Sequence, residues 1–71
     1  MASRQAEYAN FLRRLRAARS KAGLTQQQVA RRLGRPQSFV SKCESGERRV
    51  DVIELKEFAL LYGVRLDYFV T

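Results

Sequence analysis

Seventy-one residues leave room for one domain with one core, and a chain this short buries only about 60% of its unfolded surface. A composition of 45% hydrophobic and 30% charged residues belongs to a folded globular chain, a single cysteine excludes an internal disulfide and suits a reducing cytoplasm, and the lack of histidine removes the usual metal-ligand clusters. The formal net charge of +7 is unevenly placed: residues 1–35 carry nine Arg or Lys against Glu7 alone, net +8, whereas residues 36–71 carry five against six acidic residues, net −1. A basic half attracts a polyanion, with nucleic acid the first candidate and an anionic membrane surface its competitor. The longest apolar run, Phe58 to Tyr62, is far below the roughly 20 residues that a membrane span needs, and no secretory signal opens the chain.

In chain order, Met1 to Ala6 has no periodicity and reads as a frayed arm from which Arg4 could meet a backbone phosphate. A first helix is expected from about Glu7 to Ala22. Its apolar stripe is Tyr8, Leu12 or Phe11, Leu15, Ala18 and Ala22, with Arg13, Arg14, Arg16 and Lys21 away from it and Gly23 ending it. A second helix starts at Thr25, an N-cap residue with Gln28 at the capping-box position and a Leu24 to Val29 staple. Val29, Ala30 and Leu33 form its apolar side and Gly34 its left-handed end. Pro36 then opens a third helix at its first turn, running from about Gln37 to Ser45 and stopping at Gly46. At 100° per residue, Phe39, Val40 and Cys43 cluster on one side of that helix. Gln37, Ser38, Ser41, Lys42 and Ser45 fill an arc of about 140° opposite.

This polar arc holds no carboxylate. It offers groups that both donate and accept hydrogen bonds, together with one cation, and such groups suit base edges: Gln can pair with adenine twice, Ser serves either role, and Lys reaches guanine or a phosphate. A plain solvated face rich in small polar residues is the bland alternative. Cys43, on the apolar side, reads as a small core residue, with a redox-sensing thiol the sharper alternative.

A fourth helix begins at Asp51, with Glu54 completing a capping box and Val50 to Leu55 a staple, and runs to about Tyr62, where Gly63 closes it. Val52, Leu55, Phe58, Ala59 and Tyr62 make its core stripe. Ile53 and Leu60 lie together about 90° away and Leu61 is also apolar, more apolar surface than one face needs. Val64 to Val70 reads as a short fifth helix that starts weakly at Arg65.

The run GLTQQQVARRLGRPQSFVSKCESGERRVD, residues 23–51, resembles the helix-turn-helix of the phage repressor and Cro regulators, often called XRE-like, and the resemblance extends through LRRLRAARSKAG upstream and VIELKEFALLYGV downstream. It implies an all-α, compact five-helix DNA-binding domain over residues 1–71 whose third helix enters the major groove, acting as a homodimer on a palindromic operator. By carry-over, Gln37, Ser38, Ser41 and Lys42 would read bases. Gln26 would hold a phosphate and brace Gln37, and Ser45, Arg48 and Arg49 would contact the backbone, with Glu47 turned away. Arg19 and Glu44 would form a partly buried pair joining the first and third helices. The position of Cys43 usually holds a larger residue in that family.

The surplus at Ile53, Leu60, Leu61 and Tyr68 is assigned to a dimer contact, deeper burial within one chain being the alternative. The reading is therefore a duplex-DNA-binding transcriptional regulator, a repressor or autoregulator, with no catalytic residue, cofactor or metal. With no ligand domain after Thr71, no small-molecule ligand is evident. Two rivals are a sequence-indifferent nucleoid-type packer and a protein-partner module such as an antitoxin.

Overall fold

The computed structural model describes residues 3–71. Four helices, α1 (Arg4–Lys21), α2 (Gln26–Leu33), α3 (Gln37–Ser45) and α4 (Val52–Tyr62), are followed by a 3-10 turn, Leu66–Phe69. The described residues contain no strand.

The chain enters α1 three residues earlier than its apolar periodicity suggests. Ser3 is the N-cap, its hydroxyl accepting a hydrogen bond from the Ala6 N–H at 3.0 Å, so residues 4–6 are helix and not a frayed arm. Capping sets a helix start, and a first turn facing solvent needs no apolar residue. Met1 and Ala2 lie outside the described residues. At the other end Ala22 is the exposed C-cap and not part of the stripe. Phe11, Leu15 and Ala18 are buried, with Tyr8 and Leu12 half-buried beside them.

Both capping boxes form. Thr25 Oγ1 accepts from Gln28 N at 3.1 Å while Gln28 Oε1 accepts from Thr25 N at 2.9 Å, and Asp51 and Glu54 repeat the exchange at 2.8 and 3.0 Å. Pro36 occupies the N-cap of α3 and not its first turn, and it supplies no side-chain cap. Gly34, Gly46 and Gly63 end α2, α3 and α4 in the left-handed conformation, which only a residue without Cβ adopts cheaply.

The core is continuous across all four helices: Phe39 of α3 stacks on Phe58 of α4 at 6.3 Å between centroids, and Phe58 on Tyr62 at 5.8 Å. Two sequence expectations for the C-terminal third fail. Val52, placed in the core stripe, is 69% exposed, because it opens α4 on the solvent side while the carboxyl end of Glu54 turns inward. The fifth helix is a four-residue 3-10 turn with no side-chain cap at Arg65, so the fold has four α-helices and not five. That turn still completes the core, delivering fully buried Phe69 edge-on to Phe11 at 6.0 Å.

Candidate nucleic-acid interface

On α3 the buried residues are Phe39, Val40, Cys43 and Glu44, which leaves Gln37, Ser38, Ser41, Lys42 and Ser45 exposed along the opposite face. Among the described residues, the side chains of Gln37, Ser38 and Ser41 make no intramolecular hydrogen bond, so their donors and acceptors remain for a partner. Lys42 approaches Glu47 at 3.9 Å, a solvent-exposed pair of little energetic weight. Ser45 folds back on its own helix end, donating to Lys42 O at 3.2 Å and accepting from Glu47 N at 3.3 Å.

Two buried carboxylates lie behind this face, one on α3 itself and one that holds the loop following it. Glu44, 2% exposed, accepts from Arg19 Nε at 2.6 Å, Arg19 Nη2 at 3.1 Å and Gln26 Nε2 at 3.0 Å. One carboxylate therefore ties α3 to α1 and to the start of α2. Arg19 also donates to Leu24 O, and Arg16 to Glu44 O at 2.9 Å. A buried charge is tolerated only when paired and hydrogen-bonded in this way. The Gln26 amide thus braces Glu44, and the expected bond to Gln37 does not form.

Glu54, 5% exposed, is the second. Arg48 meets it with a two-pronged fork, Nη1 to Oε1 at 2.7 Å and Nη2 to Oε2 at 2.8 Å, and also donates to Arg49 O. These bonds are the main cause holding the Glu54 carboxyl below its ordinary range, opposed by burial and helped by the Asp51 N–H. Arg48, expected on the DNA backbone, is thereby turned toward its own fold. Arg35 stands near the same carboxylate at 3.8 Å, and both guanidiniums lie over the Phe39 ring, 4.3 Å away for Arg35 and 4.8 Å for Arg48.

Sequence reading missed this second node. It used Glu54 for the capping box, which is correct, but nothing in helical periodicity links a loop arginine to a carboxylate six residues on.

The arginines of α1 also divide. Arg14 donates to Tyr68 O at 3.1 Å and is half-buried, so it belongs to the scaffold, whereas Arg16 donates to the end of α3 while remaining exposed. Arg13, Lys21, Arg31 and Arg32 are exposed. In the loop after α3, exposed Arg49 lies over the Tyr8 ring at 4.1 Å, while the Tyr8 hydroxyl accepts from Val50 N at 3.2 Å. Cys43 is fully buried among the core residues, and burial pushes its thiol above the ordinary range, which disfavours the thiolate.

Of the four apolar residues assigned to a dimer contact, Leu61 and Tyr68 pack against the core of their own chain. Ile53 and Leu60 stand 64% and 75% exposed. No helix among the described residues is long and apolar enough to cross a membrane, and the described residues contain no cluster of metal-ligating side chains.

A family model described as a helix-turn-helix domain matches residues 7–67. Among solved structures, an XRE-family-like protein from Pseudomonas syringae pv. tomato str. DC3000 aligns with a TM-score of 0.85 and 51% sequence identity, over 92% of this chain and 79% of that one. No curated protein matches this chain.

Proposed function

This chain belongs to the XRE-type helix-turn-helix family of DNA-binding regulators, and from that membership we propose that it binds a specific double-stranded DNA site and regulates transcription, as a repressor or autoregulator working as a homodimer on a palindromic operator. The observation that carries this reading is the α3 face. Gln37, Ser38 and Ser41 are exposed and unbonded on a helix that Glu44 ties to α1 and α2 and whose following loop Arg48 ties to Glu54. A reader of base edges needs free donors and acceptors on a rigid support, since each good base contact contributes about 1–3 kcal/mol only if its geometry is fixed. Arg49, Gln26 at the N-terminus of α2 and the exposed arginines of α1 and α2 supply the sequence-independent part of binding. A second reading, a protein partner such as a toxin, is favoured by the exposed Ile53 and Leu60 on α4.

The test is selection of bound sites from a randomised duplex library, followed by titration of the winner and a scrambled duplex at two salt concentrations. A palindromic winner held at least about 1,000-fold more tightly than scrambled DNA is the expected result. No enriched motif, with equal weakening of both duplexes by salt, refutes sequence-specific regulation.

A further inference from the structure

We propose that Arg35, in the turn between α2 and α3, is a DNA-backbone contact, its guanidinium held ready beside the first turn of the recognition helix for a phosphate. The inference rests on the function proposed above and names a residue that the family motif did not assign.

The electrostatics around Glu54 are unbalanced. Its two oxygens take both prongs of Arg48 and the Asp51 N–H, at 2.7, 2.8 and 3.0 Å. Arg35 stands further off at 3.8 Å, and its guanidinium makes no hydrogen bond with any described residue. Two guanidiniums therefore face one carboxylate, Arg48 takes the short contact to each of its oxygens, and Arg35, held outside hydrogen-bond distance, keeps its donors.

Those donors are also ordered. The guanidinium lies over the Phe39 ring, 4.3 Å from its centroid, and the side chain is 43% exposed, so it is confined on one side and open on the other. A planar cation restrained in this way loses less entropy on meeting a phosphate than a free surface arginine does. It stands two residues before Gln37, next to a helix start that Pro36 leaves without a side-chain cap and where the helix dipole also favours an anion. Arg48, on the same ring, lacks this freedom because its prongs are engaged.

The experiment compares wild type, Arg35→Ala, Arg35→Gln and Arg35→Lys on the selected duplex and on a scrambled one across a salt series, with circular dichroism melts of each protein. Arg35→Ala and Arg35→Gln should bind both duplexes more weakly by the same factor, about five- to tenfold at low salt, with the slope of log affinity against log salt reduced by about one. Arg35→Lys, which keeps the charge but loses the planar fork, should keep the wild-type slope with part of the affinity loss. Unchanged affinity and slope in the first two variants overturns the proposal, as does a loss confined to the selected duplex, which would make Arg35 a base reader. A wild type without sequence preference refutes the regulator reading, while the slope comparison on its non-specific binding still decides the role of Arg35.

Discussion

At the scale of single residues, the carboxylate of Glu44 ties α3 to α1 and α2, and that of Glu54 ties the loop after α3 to α4. Glu44 is nearly inaccessible to water and accepts three hydrogen bonds from Arg19 and Gln26. Glu44→Ala leaves Arg19 without its partner and is expected to destabilise the fold by about 3–5 kcal/mol in urea titrations. Removing Arg19 and Glu44 together should cost less than the sum of the single losses, and a double-mutant cycle with no coupling would refute the pairing as an energetic unit. Glu54 adds a pH dependence. Its carboxyl titrates below its ordinary value because Arg48 hydrogen-bonds the charged form, so the folded state binds that proton more weakly than the unfolded chain does. Its stabilisation is complete above the unfolded carboxylate value of about 4.3 and is lost as pH falls through the lower folded value. Glu54→Gln should therefore be clearly less stable than wild type at neutral pH, with the gap closing as the solution is acidified. Urea midpoints whose difference stays constant down to about pH 2 would show that Glu54 does not supply this dependence.

At the scale of elements, the ends of the helices separate what is local from what is not. Gly34 and Gly46 both lie at positive φ, +68° and +85°, and alanine is strained at either. Around Gly34 there is open space, but a Cβ on Gly46 would come within 2.9 Å of Leu12 Cδ1, where α1 meets the end of α3. Gly34→Ala should cost about 1 kcal/mol, and Gly46→Ala more, because Leu12 must also shift; equal losses in thermal melts would mean that Leu12 yields freely. The caps of α2 and α4 were legible in the sequence because each is settled within four residues, as were the polar arc of α3 and the glycine stops. The start of α1 at Arg4 was not, since a solvent-facing turn leaves no apolar trace. The Arg48–Glu54 fork and the burial of Phe69 were hidden for a related reason: both depend on how distant segments pack, which periodicity within one helix does not encode.

At the scale of the whole molecule, the basic half is partly internal. Arg14 and Arg19 are half-buried and donate into the fold, so the long-range field acts chiefly from the exposed cations on α1, Arg16 among them, on α2 and in the loop after α3. α3, nine residues and so about 13 Å long, cannot alone read both halves of a palindrome whose centres lie about 34 Å apart. For the proposed homodimer, a contact between copies would make occupation of such a site cooperative, and the exposed face of α4 is the surface we propose for it. Ile53 and Leu60, seven residues apart, lie on one face of that helix and remain exposed, whereas Leu61 and Tyr68 are engaged by their own core. The face is small beside the roughly 800 Å² per partner of a standard interface, so association should be weak in solution and become effective when DNA holds two copies together. Leu60→Glu tests this cleanly because the side chain is 75% exposed and its loss should leave the melting temperature unchanged. The variant should bind an isolated half-site as wild type does but lose about tenfold or more on the full palindrome, the range expected for coupling between two bound copies. Equal affinity of wild type and variant for the full site would remove α4 from the dimer, and an equal loss on half-site and full site would mean that the substitution acts on the recognition helix and not between copies.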